Sequence, residues 1–113
     1  MTKNVPASCI FDQIIAGEIP ADKVFEDDDV LAFKDIKPVA DVHYVIIPKK
    51  HVSNLNGVTV GDEPLYGKIV RVASELAAKA GITDGWQLFV RVGQGGGQEV
   101  PHVHFHLISG KRC

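Results

Sequence analysis

Gly95-Gly96-Gly97-Gln98-Glu99-Val100-Pro101-His102-Val103-His104-Phe105-His106-Leu107-Ile108 places three of the chain's five histidines at alternate positions. Alternation is a strand pattern, because successive side chains leave a strand on opposite faces. His102, His104 and His106 then share one face, and Val103, Phe105 and Leu107 share the other. The apolar face is fit for burial. The imidazole face needs another explanation. The glycine run upstream allows a close backbone approach and offers N–H groups to a ligand.

Outward from this strand, the pattern predicts one α+β domain over residues 1–113, with residues 1–7 as a loose N-terminal arm. A short helix is expected over Cys9–Ala16, capped by Ser8 and ended by Gly17. Lys23–Glu26 and Val30–Lys34 form a hairpin around three aspartates, and Asp41–Pro48 is a third strand rich in β-branched residues. Residues 54–61 are a loop. Leu65, Ile69, Val72, Leu76 and Ala80 recur at helical spacing, so the longest helix covers about 63–80, with Asp62 or Gly61 as its cap and Gly81 as its stop. Gln87–Val92 is a fourth strand, the histidine stretch is the fifth, and Gly110 closes the ordered part. Hairpin links imply an antiparallel sheet of five strands with one long and one short helix.

Composition narrows the class. With 113 residues, 45% of them apolar, the chain is globular and of single-domain size. A formal net charge of −2 argues against a nucleic-acid partner or a membrane surface. No apolar run approaches the ~18–20 residues needed to span a bilayer. The start, Met1-Thr2-Lys3-Asn4-Val5-Pro6, lacks the apolar stretch of a secretion signal, and Cys9 and Cys113 read as free thiols, so a cytoplasmic location is expected. A core of this size favours a dimer that buries more apolar surface.

From the residues alone, three roles stay open for the histidines. They could be satisfied sheet residues. They could bind a metal, since imidazole is the commonest nitrogen ligand, although even neighbouring histidines of the three sit ~6.5–7 Å apart at Cα. They could also act on phosphorus, one neutral imidazole attacking while its neighbours move a proton and backbone N–H groups hold the phosphoryl oxygens. Spacing does not choose between them.

His102-Val103-His104-Phe105-His106-Leu107-Ile108 resembles the histidine-triad pattern of alternating histidine and apolar residues. Cys9–Ile15, Glu18-Ile19-Pro20, Leu31–Ile36, His43–His51 and Gly96–Val100 are similar to the nucleotide-binding (Hint) branch of that family. The resemblance covers about residues 8 to 110. It implies a homodimer whose two sheets join, and hydrolysis of purine nucleoside phosphoramidates to AMP or GMP and an amine, with no cofactor. By position, it implies that His104 is the nucleophile, that His102 orients it, partly through its carbonyl, that His106 binds phosphate oxygens, and that His43 completes the proton relay. Ile10, Phe11, Ile14, Phe33 and Ile36 would line the purine slot, next to Lys34; Asp35 would bind the ribose hydroxyls. Gly97, Gln98 and Glu99 would lie at the phosphate, Gln98 and the Glu99 amide in contact with it.

Some positions depart from the family pattern. Arg91 stands where the branch usually has asparagine, and Glu99 where some members have serine. Some bacterial relatives bind structural zinc through Cys-x-x-Cys and two histidines. Here Asp12 stands in place of the second cysteine, which leaves Cys9, His51 and His102, and no metal is expected. Alternatives to the phosphoramidase are a dinucleoside polyphosphate hydrolase of the same superfamily and a nucleotide-binding interaction protein.

Overall fold

The strands are β1 (Lys23–Glu26), β2 (Val30–Lys34), β3 (His43–Pro48), β4 (Trp86–Val90) and β5 (Phe105–Ser109). The computed structural model describes residues 9–109; the 1–7 arm, the Ser8 cap and Gly110 lie outside them. The sheet order is β1-β2-β3-β5-β4, and each neighbouring pair is antiparallel. The expected α+β fold, with a five-stranded antiparallel sheet and one long helix, is therefore the observed one.

Strand alternation divides the core in two. Val30, Ala32, Ile46 and Leu107 face helix α2 (Glu63–Lys79) and meet its Ile69, Val72, Ala73, Leu76 and Ala77. Each large side chain buried there contributes on the order of 1.5–3 kcal/mol relative to exposure. Leu31, Phe33, Val45 and Ile47 point the other way, against Cys9, Phe11 and Ile14 of the short helix α1 (Ile10–Ile15) and its cap. A cross-strand row, Phe33, Val45, His106 and Phe89, runs over this second face. Among the described residues, α1 is the one helix on that face, joined by Ile19, Ala21 and Val100, and this cover leaves room for a site.

Boundaries differ where side chains or loops take over the backbone bonds. The third strand begins at His43, not Asp41, because the turn before it folds back on that residue: the Asp35 N–H donates to the His43 carbonyl and the Val39 N–H to His43 Nδ1. The fourth strand ends at Val90, two residues short of expectation, where the glycine loop begins with Gly93 at φ +73°. The fifth starts only at Phe105. Ahead of it, the Val103 N–H donates to Val52 and the His102 N–H to Val100, outside the sheet ladder. Residues 54–61 hold 3₁₀ turns at Leu55–Gly57 and Val60–Asp62. Asp62 is the N-cap residue of α2, as expected, but its carboxylate makes no bond to the helix and accepts instead from the Thr59 N–H and from Lys50. Among the described residues, no helix is long and apolar enough to cross a membrane.

Candidate active site

The histidines are held by partners that decide which ring nitrogen is free. His104 Nδ1 lies 2.8 Å from the His102 carbonyl, which can only accept, so this nitrogen carries the proton. Nε2 of neutral His104 is then an unprotonated lone pair. His43 Nδ1 accepts from the Val39 N–H, which puts the His43 proton on Nε2, 2.9 Å from His106 Nδ1. His106 Nδ1 therefore accepts, and its own proton is on Nε2. Asp35 Oδ2 stands 3.4 Å from His43 Nε2, and its Oδ1 accepts from the Lys37 N–H. The ladder explains how residues 63 positions apart meet: His43 pairs with Ile108 and Val45 with His106, so the two imidazoles are diagonal neighbours on one face.

Burial keeps these rings neutral. Desolvation pulls the pKa of His104 and of His43 below the ordinary imidazole range, opposed in both cases by the Asp35 carboxylate. His106 is lowered to about 4, first by burial and then by the charges of His104, His43 and Arg91. Neutral His104 can act as a nucleophile at pH 7.

A cavity of about 860 Å3 opens onto His104 and His106. It brings together Ile10, Phe11, Ile14, Phe33 and Ile36 on its apolar walls, with Lys34, Asp35, Arg91, Gly97 and Glu99 around them. The expected pocket is assembled, with one exception. Gln98 does not line it. Its Oε1 accepts from the Gly93 N–H, and its Nε2 donates to the Ser53 and Val100 carbonyls at 2.5 and 2.8 Å. The Gln98 side chain ties the glycine loop shut and stays out of the cavity wall. The loop's own N–H groups also depart from expectation: those of Gly96 and Gln98 go to the Gly93 carbonyl and that of Gly97 to Gln94. The Glu99 N–H has no partner among the described residues. Residues that sequence reasoning missed include Ile19, Pro20 and Val100, whose only signal was apolar character in a linker and a loop.

A second group lies behind the first. His102 is fully buried; its Nε2–H donates to the Pro48 carbonyl at 2.8 Å, so its Nδ1 is a lone pair. That lone pair faces Cys9 Sγ at 3.7 Å and Asp12 Oδ1 at 3.4 Å. His51 Nδ1 lies 3.8 Å from the same sulfur and 2.6 Å from Asp12 Oδ2. The donor atoms of Cys9, Asp12, His51 and His102 all fall within 4.8 Å of one another. Asp12 Oδ2 is buried and, despite the near imidazole, has no hydrogen bond of acceptable geometry. Burial, and then Asp12, push the Cys9 thiol up to about 11. Lone pairs converging on one point suit a tetrahedral cation, with two imidazoles, a thiolate and a carboxylate as donors. Asp12 thus stands with the expected Cys9, His51 and His102 as a fourth donor of the same group.

Known proteins share this architecture. The HIT domain family matches residues 16–113. Protein HitA of Neisseria gonorrhoeae is 44% identical over 102 residues, spanning 90% of this chain and 95% of that protein. The purine nucleoside phosphoramidase of Escherichia coli (strain K12) is 43% identical over 103 residues, spanning 90% of this chain and 87% of that enzyme. Among solved structures, a HIT family hydrolase from Legionella pneumophila Philadelphia 1 superposes with a TM-score of 0.89 at 46% identity, over 93% of this chain and 95% of that one.

Proposed function

The chain belongs to the HIT domain family, and from that membership we propose that it hydrolyses purine nucleoside phosphoramidates to the nucleoside monophosphate and an amine. The observation that carries this assignment is the bond from His104 Nδ1–H to the His102 carbonyl, which leaves Nε2 as the attacking lone pair. The base enters the apolar slot of Phe11, Ile14, Phe33 and Ile36, and the ribose hydroxyls meet Asp35.

The anionic phosphoryl group favours protonation of the His43–His106 pair beside it. His104 Nε2 attacks phosphorus in line. The P–N bond to the amine breaks, and the leaving nitrogen takes the proton from His106 Nε2 while His43 supports Nδ1. A nucleotidyl-His104 intermediate results. Water then attacks phosphorus, the P–N bond to His104 breaks, and the proton of the water returns to the histidine pair. Nucleoside monophosphate leaves, and the protein is regenerated. Mass spectrometry of acid-quenched protein during turnover should find a nucleotidyl adduct on His104; an adduct on another residue, or turnover with none, would sink this mechanism.

A homodimer joined sheet to sheet belongs to the same proposal. Among the described residues, β4 pairs only with β5, and its outer edge supports that arrangement. Cys9, Asp12, His51 and His102 would hold a zinc-type cation. With all four positions filled by protein, its contribution would be structural, tying α1 to the loop after β3 and to the approach to β5.

A further inference from the structure

The cavity contains neutral imidazoles where the assignment above places an anion. Binding an anionic phosphoryl group favourably calls for a permanent counter-charge. Three cations line the cavity. Lys34 lies at the β2 end and reaches Asp22 at 3.6 Å, and Lys37 follows Asp35 on the turn after β2. Arg91 stands across the sheet, just past the end of β4.

The register locates Arg91 further. Phe89 pairs with His106 and Val90 with Phe105, so Arg91 follows the last paired rung, and it lines the same cavity as His104 and His106. The Phe89 ring stacks on His106, with centroids 4.9 Å apart and planes 20° apart, and the Arg91 guanidinium carbon lies 4.9 Å from the Phe89 centroid. The other side of Arg91 is set by Gly97. A Cβ there would lie 3.1 Å from Arg91 Cδ and 3.5 Å from Nε, and Gly97 already sits at φ +88°. Ring and glycine together form a seat for the guanidinium beside the nucleophile.

We propose that Arg91 is the phosphate-reading cation of this site, its guanidinium holding the non-bridging oxygens of the phosphoryl group attacked by His104. This rests on the nucleotide assignment above. The direction follows from the reaction. In-line displacement sends the leaving nitrogen to the side of phosphorus opposite His104, so a group beside His104 meets the equatorial oxygens instead. A guanidinium fork matches two such oxygens and keeps its charge at every working pH. The same charge helps hold His43, His104 and His106 neutral.

The test is calorimetric binding of AMP and of adenosine to wild type, Arg91→Gln and Arg91→Lys. Arg91 is exposed, so these variants should fold. Arg91→Gln should weaken AMP roughly 10- to 100-fold, the loss expected for a hydrogen-bonded charge, and leave adenosine within about twofold. Arg91→Lys should retain part of the AMP affinity. Equal AMP affinity in wild type and Arg91→Gln would overturn the proposal, as would equal losses for AMP and adenosine. If wild type bound neither ligand, the nucleotide assignment itself would fall as well.

Discussion

His102 and His104 are two residues apart in the approach to β5, and their two rings meet different surroundings. His104 gives its Nδ1–H to a backbone carbonyl and turns Nε2 toward an open cavity. His102 gives its Nε2–H to a backbone carbonyl and turns Nδ1 toward a thiol and a carboxylate. The Phe11 ring stands between them, edge-on to both, at 4.9 Å from His104 and 6.0 Å from His102. An imidazole becomes a nucleophile or a structural ligand according to which nitrogen the backbone occupies and what the other one faces. The residue type does not decide it, and neither does strand parity.

Paired substitutions test that contrast, with the largest effect expected at the front. His104→Ala should lower turnover by more than ~10³-fold, since nothing else in the cavity supplies the attacking lone pair. AMP binding should persist, and the urea midpoint should fall less than in His102→Ala, because the cavity already borders the His104 ring. His102→Ala should do the opposite. It removes a fully buried ring, frees the Pro48 carbonyl and opens a void beside Cys9, at a cost of about 3 kcal/mol or more. The backbone carbonyl that orients His104 survives this substitution, so turnover in the folded fraction should fall far less than in His104→Ala. If the two variants lost stability and turnover in the same proportion, the division of roles would be wrong.

The rear group can be separated by metal. Zinc added to metal-free protein should raise the thermal midpoint by at least ~4 °C, because a ligand held only by the folded state stabilises it. Cys9→Ser and Asp12→Ala should each abolish most of the shift. Cobalt in place of zinc should produce thiolate-to-metal absorption that Cys9→Ser removes. A wild-type midpoint indifferent to zinc would mean that the four donors hold one another through protons alone.

How much of this was legible in the chain follows the same line. The strand at Phe105–Ser109 and the parity of His43 could be read directly, because strand geometry is local and periodic; His102 and His104 stand ahead of the ladder, where alternation no longer decides what a side chain faces. The pocket residues were legible only through resemblance, since nothing in their spacing separates a binding wall from a core. The bonds of Gln98 could not be read, because its partners, Gly93 and the Ser53 carbonyl, are set by how a loop closes, which the residue type does not encode. Asp12 was read as a missing cysteine. Its place depends on His51, from the loop after β3, and His102, from the approach to β5, 39 and 90 positions away, and only the fold brings its carboxylate to them.

The smallest effect separates wall from core within the front site. Phe11, Ile14 and Phe33 line the cavity and are also buried in the core cluster, 6–8% exposed, so they serve both packing and pocket. Ile36 lines the same cavity but is 90% exposed. An isoleucine so open gains almost nothing from folding, and Ile36→Ala should cost less than ~0.5 kcal/mol in urea denaturation. If its surface is covered only when a base occupies the slot, the same substitution should weaken AMP by roughly 3- to 10-fold, the range for losing a few methylenes from an apolar contact. Phe33→Ala should instead lose stability and affinity together, by about 3 kcal/mol in the former. An Ile36→Ala protein with unchanged AMP affinity would place the base elsewhere and leave this wall as no more than the rim of the core.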